Sequence, residues 1–205
     1  MEREMSSQLK VRLTPEEYLR LERAAETKSE YLDGEMLPMP GASREHNLIV
    51  TNIVAVLANQ LLDRPCEVYP PDMRVKVSSS GLYTYPDVTV VCGEPRFEDP
   101  HVDTLLNPHL IFEVLSESSE TYDRGRKFSH YRTVESLREY VLVAQSECRV
   151  EQFARQTGGQ WLYVESTDPN GSIELPSIAC RLPLSRVYHR IEFQPPPGGQ
   201  LMNAG

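Results

Sequence analysis

The chain has 205 residues, 40% hydrophobic and 25% charged, with a net charge of −9. That is enough to bury one core without help from disulfides, and no run of 18 or more apolar residues offers a membrane span. The acidic balance disfavours a protein that coats nucleic acid by overall charge, but leaves room for an enzyme with a locally basic cleft.

Residues 1–12 read as a flexible tail without the apolar core of a signal peptide, so the expected location is cytoplasmic. Thr14-Pro15-Glu16-Glu17 is a helix start, with Thr as N-cap, Pro at N1 and Glu at N3. That helix is expected to reach Ala24, with Leu13, Tyr18 and Leu21 inward. Asp33-Gly34, between two short strands over Ser29 to Met39, signals a tight hairpin. Ala42 to Leu62 carries apolar residues at the 3.6 period, with Ser43 as its cap and Arg64-Pro65 as its stop. Cys66 to Val77 reads as a strand pair or one bent strand broken at Pro70-Pro71. Arg74 and Lys76 alternate with apolar neighbours there and predict a wet face. Residues 78–83 read as a polar turn.

Val88 to Cys92 and Leu110 to Leu115 are apolar runs of buried-strand type, joined by a charged loop over 93–109 expected to border a cleft. A helix is expected over Asp123 to Thr133, with Tyr122, Phe128 and Tyr131 inward. Strands follow at 139–143, 148–154, 160–165 and 172–175, the second and third forming a hairpin through Gly158-Gly159. A short helix is expected over 182–187, and 193–205 reads as a disordered Pro/Gly-rich tail. One domain over 13–192 is the simplest partition, an α/β (α+β) arrangement with a mixed sheet flanked by helices. Cys66, Cys92, Cys148 and Cys180 lie far apart with no C-x-x-C pair, so free and mostly buried thiols are expected.

Two acids sit where apolar flanks predict burial, Asp87 and Glu113. Burying such a group costs several kcal/mol unless it is paired, hydrogen-bonded or bound to a cation. On adjacent strands, roughly 4.8 Å apart, the two carboxylates repel unless a cation lies between them. Oxygen ligands of this kind suit Mg2+ or Mn2+, and the Val114 carbonyl is a third candidate ligand. Such an ion binds a phosphate oxygen and lowers the pKa of water. The structural alternative is a strand-starting Asp87 and a salt-bridged Glu113.

Lys127 shares a helix face with Asp123 and is a candidate to position water or to stabilise charge on phosphate; an ordinary surface pair is the alternative. Arg124, Arg126 and Arg132 form a candidate phosphate-backbone patch, or a solvated helix face. His46, near the start of the long helix, is a candidate proton handler, ligand or phosphate contact, or a capping residue. Glu30 is an additional candidate acid, or a hairpin surface charge. No G-x-S-x-G elbow, Gly-rich phosphate loop or H-E-x-x-H occurs.

The segments E-Y-L-D-G-E, E-H-N-L-I-V, Y-P-D-V-T-V-V, H-L-I-F-E-V-L-S-E-S-S and Y-D-R-G-R-K-F-S-H-Y together resemble the bacterial restriction endonuclease family often called Uma-two, of the PD-(D/E)XK nuclease superfamily. The resemblance spans about residues 14–190. It implies a restriction-endonuclease-like fold with an α-β-β-β-α-β core. The helix at 43–62 comes first, strands near 67–77, 87–92 and 110–115 form the meander, and 123–133 is the second helix. It implies Asp87 as first acid and Glu113 as second. The superfamily lysine falls at Leu115, and the family's lysine sits on the following helix at Lys127. Glu30 and His46 match recurrent positions near the cleft. Val141 and Ala144 replace an aromatic and an acid of the family pattern. The implied activity is a Mg2+- or Mn2+-dependent DNA endonuclease acting as a homodimer. The alternatives are a catalytically weak or inactive nuclease-fold homodimer with a binding or structural role, and a nuclease acting on RNA or another phosphodiester.

Overall fold

A computed structural model describes residues 12–193; the expected N-terminal tail, but for Arg12, and the C-terminal tail, but for Phe193, lie outside the described residues. Thr14 caps helix α1 (Pro15–Glu22) through both halves of a capping box. The helix ends before Ala24 and buries Tyr18, Leu19 and Glu22, which leaves Leu21 at the edge of that face and 37% exposed. Strands β1 (Ser29–Leu32) and β2 (Glu35–Pro38) form the hairpin, with Asp33 and Gly34 both at positive φ. A Cβ at Gly34 would meet Arg12 at 2.7 Å, so this turn needs glycine on two counts. Helix α2 (Arg44–Leu61) starts at Ser43, whose hydroxyl accepts from the His46 N–H, and buries Ile49, Ile53, Leu57 and Leu61 along one stripe.

The remaining elements are β3 (Cys66–Tyr69), β4 (Arg74–Val77), β5 (Leu82–Thr84), β6 (Val88–Cys92), β7 (Thr104–Leu105), β8 (Leu110–Leu115), α3 (Glu120–Tyr122), α4 (Phe128–Tyr131), β9 (Glu139–Ala144), β10 (Val150–Arg155), β11 (Trp161–Ser166), β12 (Ser172–Leu175), β13 (Cys180–Pro183) and α5 (Leu184–Val187). A six-stranded mixed sheet runs β11-β10-β9-β8-β6-β3, and a five-stranded one β2-β1-β5-β4-β7. Strands β3, β6 and β8 form an antiparallel meander, and β8 pairs in parallel with β9. The fold is therefore α+β, with helices flanking mixed sheets and an antiparallel β12–β13 pair near the C-terminal end.

Strand alternation then divides the core. Leu110, Phe112 and Val114 face α2 and the C-terminal hairpin, while Ile111 and Leu115 pack with Tyr131, Leu137 and Tyr140. Glu113, by alternation, projects to this second face.

Several local expectations change. Segment 66–77 is neither a pair nor a bent strand, because β3 and β4 join different sheets across the Pro70-Pro71 break. The polar turn is shorter than expected and gives way to β5 at Leu82. Arg74 is not on a wet face. It is 3% exposed, donating to the Tyr85 hydroxyl at 2.7 Å and Thr104 Oγ1 at 2.9 Å, and lying 3.0 Å from Asp103. Loop 93–109 contributes β7 to the five-stranded sheet, and its Asp99 and Asp103 pair with Arg23. Leu182 lies in β13, and the terminal helix begins at Leu184.

The free-thiol expectation fails for two of the four cysteines. Cys66 and Cys92 are direct cross-strand partners of β3 and β6 and form a disulfide, leaving Cys148 and Cys180 free. Their 26-residue separation carried no motif, since strand pairing and not sequence spacing brings them together.

Candidate functional site

The meander brings the two predicted acids together. Val88 pairs with Phe112, so Asp87 and Glu113 each stand one residue beyond that pair on neighbouring strands, close enough for Asp87 to act on the Glu113 carboxyl. Asp87 precedes β6 and reaches across: its Oδ2 accepts the Val114 N–H at 2.7 Å. Its Oδ1 lies 2.9 Å from His46 Nε2, on the first turn of α2. Asp87 is thus held from two elements while its side chain keeps 13% exposure. Val114 contributes its amide to this contact, and its side chain lies in the core under α2.

Glu113 lies deeper, at 3% exposure. Its Oε1 accepts from Lys127 Nζ at 2.9 Å and from the Tyr131 hydroxyl at 3.0 Å. Lys127 ends a π-helical turn, Asp123–Lys127, inserted between α3 and α4. Such a turn adds a residue to the helix and re-aims the side chains around it, and it recurs at functional sites. Here Asp123 and Lys127 both turn inward, at 3% and 5% exposure, and the Tyr140 hydroxyl holds the Asp123 carbonyl at 3.1 Å.

Lys127 Nζ also lies 3.2 Å from Glu30 Oε1 and 3.5 Å from Asp123 Oδ1. Glu30 comes from β1 and also accepts a hydrogen bond from Thr84 of β5. One buried ammonium therefore joins carboxylates from the hairpin, the central strand and its own helix.

The electrostatics follow from burial. Desolvation pushes the Glu113 carboxyl well above the usual range; Lys127 pulls it down, and Asp123 and Asp87 push it further up. Burial likewise raises Asp123 against the pull of Lys127. For Lys127, burial acts to lower the pKa, but Glu113, with Tyr131, Glu30 and Asp123, outweighs it and holds the ammonium well above the ordinary lysine value. Burial, then Glu30, pushes the Tyr122 hydroxyl up to about 12. Four carboxyl groups thus lie around Lys127 and His46, two of which, Glu113 and Asp123, burial pushes toward the protonated form.

Among the described residues, no group of three or more His, Cys, Asp or Glu is arranged to hold a metal ion. A nuclease-type site asks less of the protein, since Mg2+ keeps several waters and takes one or two carboxylates plus phosphate oxygens. Asp87 and Glu113 are two carboxylates of that type, Asp87 engaged by the Val114 amide and His46, Glu113 by Lys127 and Tyr131.

Of the residues singled out in the sequence, Glu30, Glu113 and Lys127 meet directly, and Asp87 with His46 stands beside them. The three arginines diverge. Arg124 pairs with Glu120 at 2.8 Å and with Glu151, Arg126 is 63% exposed and 3.8 Å from Asp33, and Arg132 lies 5.6 Å over the Phe128 ring. Asp123, Tyr131 and Thr84 complete the site and were not predicted as part of it. The first two stand four residues either side of Lys127, the spacing at which a buried lysine on a helix finds partners.

Three comparisons place the chain among known proteins. A family profile described as "Putative restriction endonuclease", Uma2, matches residues 15–185. Two uncharacterized proteins of Synechocystis are similar to the chain. One, sll1609, is 41% identical over 79% of this chain and 92% of its own length. The other, slr1290, is 32% identical over 89% of this chain and 94% of its own. Among solved structures, the crystal structure of "a putative nuclease belonging to DUF820" from Anabaena variabilis superposes with a TM-score of 0.69 at 19% identity. It covers 86% of this chain and 97% of that one, and so speaks for the fold.

Proposed function

The chain belongs to the Uma2 family, described as "Putative restriction endonuclease", and from that premise we propose that it is a divalent-metal-dependent DNA endonuclease. One observation carries the reading: Lys127 Nζ sits 2.9 Å from Glu113, on the strand whose next amide holds Asp87. Buried, electrostatically perturbed acids and a lysine gathered from separate elements support a site with chemistry to do.

Asp87 and Glu113 are the oxygen donors that would hold Mg2+ or Mn2+, with the Val114 carbonyl as a candidate third. The ion, when bound, supplies positive charge to the phosphate and acidifies water. His46 fixes the Asp87 carboxylate in one orientation. Lys127 is a fixed positive charge and not a base, because its carboxylate partners keep it protonated. Its ammonium orients the attacking water or faces charge developing on phosphate. Glu30 and Asp123 hold that ammonium in place. Water attacks phosphorus in line, the 3′ oxygen leaves, and the product carries a 5′-phosphate, the usual pattern of the superfamily.

A second reading, a nuclease-fold homodimer without strong catalysis, is favoured by one feature. Arg124 is already spent on Glu120 and Glu151, and the cleft beside the α2 N-cap is lined by Glu45, Glu117 and Glu147, an unfavourable approach for a phosphate backbone. One assay separates the two. Plasmid DNA, single-stranded DNA and RNA are incubated with Mg2+ or Mn2+ alongside Glu113→Gln and Asp87→Asn. The endonuclease reading expects metal-dependent DNA cleavage that both variants lose. Cleavage surviving in both variants, or none by the wild type with either metal, defeats it.

A further inference from the structure

The six-stranded sheet ends on β11, and among the described residues no strand pairs with its outer edge. Leu162, Tyr163 and Val164 stand there 53%, 48% and 43% exposed, three consecutive apolar side chains. Sheet edges are normally blunted by proline, lysine, a bulge or simple shortness. The other edges of the two larger sheets conform: β2 ends in Pro38, β3 runs into Pro70 and is bridged to its neighbour, and β7 has 2 residues. Of the usual guards, strand β11 keeps only the charge of Glu165. Trp161–Ser166 contains no Lys, Arg, Pro or Gly, and it pairs with β10 in unbroken register.

We infer that the open edge of β11 pairs antiparallel with β11 of a second copy of this chain, about a two-fold axis at Tyr163. In that register the strand complements itself, as an isologous contact must. Tyr163 meets Tyr163, Leu162 meets Val164, and Trp161 meets Glu165.

Charge selects this register. Alternation puts Trp161, Tyr163 and Glu165 on one face. Arg155, the cross-strand partner of Trp161, lays its guanidinium 4.7 Å over the indole. Its Nη2 is bonded only to the Arg132 and Val134 carbonyls, its Nε is buried without a hydrogen-bond partner, and it forms no ion pair among the described residues. Glu165, which accepts the Tyr163 hydroxyl of its own chain at 3.0 Å, would in the second copy arrive beside that indole, one strand from the Arg155 guanidinium laid over it, and symmetry makes the pair twice. Shifting the register by one sets Glu165 against Leu162 and forfeits both pairs.

A single six-residue edge belongs to the small, weak class of interface, so the dimer is expected to be concentration-dependent in the micromolar range. Sedimentation velocity from low micromolar to several hundred micromolar should show a shift from the 23.4-kDa chain to twice that mass. Val164→Lys, at an exposed position, should raise the dissociation constant by about tenfold or more without altering the circular dichroism spectrum. Arg155→Glu and Glu165→Arg should each weaken the dimer, and the double variant should restore it. A wild-type chain monomeric throughout, a dimer indifferent to Val164→Lys, or a double variant no tighter than the singles would each overturn the inference.

Discussion

Replacing Lys127 by methionine keeps the volume and removes the one cation that Glu30, Glu113 and Asp123 share. Breaking a buried ion pair from one side costs about 3–5 kcal/mol, because the partner's charge is left uncompensated. Whole-domain stabilities run to about 5–15 kcal/mol, so the variant should fold but sit near its limit. The loss should depend on pH, and the sign is fixed. In the variant the native state keeps protons on Glu113 and Asp123, whose carboxyls burial already lifts in the wild type. The unfolded chain releases those protons above about pH 4. The native state then binds more protons than the unfolded one, so stability falls as pH rises, by about 1.4 kcal/mol per unit for each extra proton. Urea unfolding followed by circular dichroism at pH 5.5, 7 and 8.5 measures this. The deficit against wild type should be largest at pH 8.5 and shrink toward pH 5.5. Lys28→Met is the control, since Lys28 bridges Asp72 from a 38% exposed position and should cost only about 0–1 kcal/mol. A Lys127→Met protein within error of wild type at pH 8.5, or a deficit equal at all three pH values, would refute the reasoning.

Three shorter expectations follow from the same geometry. Mn2+ titrated calorimetrically into wild type should bind, Asp87→Asn should abolish binding, and His46→Ala should weaken it about 10- to 100-fold, the usual effect of removing a group that orients a ligand. Equal affinity in His46→Ala would mean that the histidine only packs. Reducing Cys66–Cys92 should lower stability by about 3.5 kcal/mol on the chain-entropy account of its 26-residue loop; urea midpoints with and without reductant test it, and unchanged midpoints would count against the bridge. Thr14→Ala should cost about 1 kcal/mol by removing the capping box, with no effect on metal binding.

The parts of the structure that were legible in the sequence are those written in local chemistry. Thr14 with Glu17, Ser43 before α2, Asp33-Gly34, and the β-branched runs at Val88 and Leu110 each specify their own conformation within a few residues. Asp87 and Glu113 stood out because acids flanked by strand-core residues need a reason. What stayed hidden depends on partners distant in the chain. Arg74 looked solvent-facing because its neighbours alternate, but its bonding to Tyr85, Thr104 and Asp103 is created by the fold. Cys66 and Cys92 carried no spacing motif because strand register joins them. The π turn that aims Lys127 inward is one inserted residue in an otherwise ordinary helical pattern, and no periodicity signal marks it. The divergence of Arg124, Arg126 and Arg132 is likewise set by Glu151, Asp33 and Phe128, each reached through tertiary packing.

The carboxyls gathered around Lys127 also predict how a divalent ion should act on stability. At low pH the Glu113 carboxyl holds a proton, since burial and the nearby Asp123 and Asp87 outweigh Lys127. An ion that uses that oxygen must first displace the proton, so binding weakens as pH falls. Binding only to the folded chain stabilises it by about 2.7 kcal/mol at a hundredfold excess over the dissociation constant. The Mn2+-induced rise in melting temperature should therefore grow from pH 5.5 to pH 8.5, opposite in slope to the intrinsic loss that the unneutralised acids impose. Glu113→Gln, which has no proton to displace, should flatten the dependence while lowering the overall shift, and Asp87→Asn should erase it. A Mn2+ effect of the same size at every pH, or one that survives in Asp87→Asn, would place the ion somewhere other than between these two acids, and the nuclease reading would lose its chemical centre even though the fold stood.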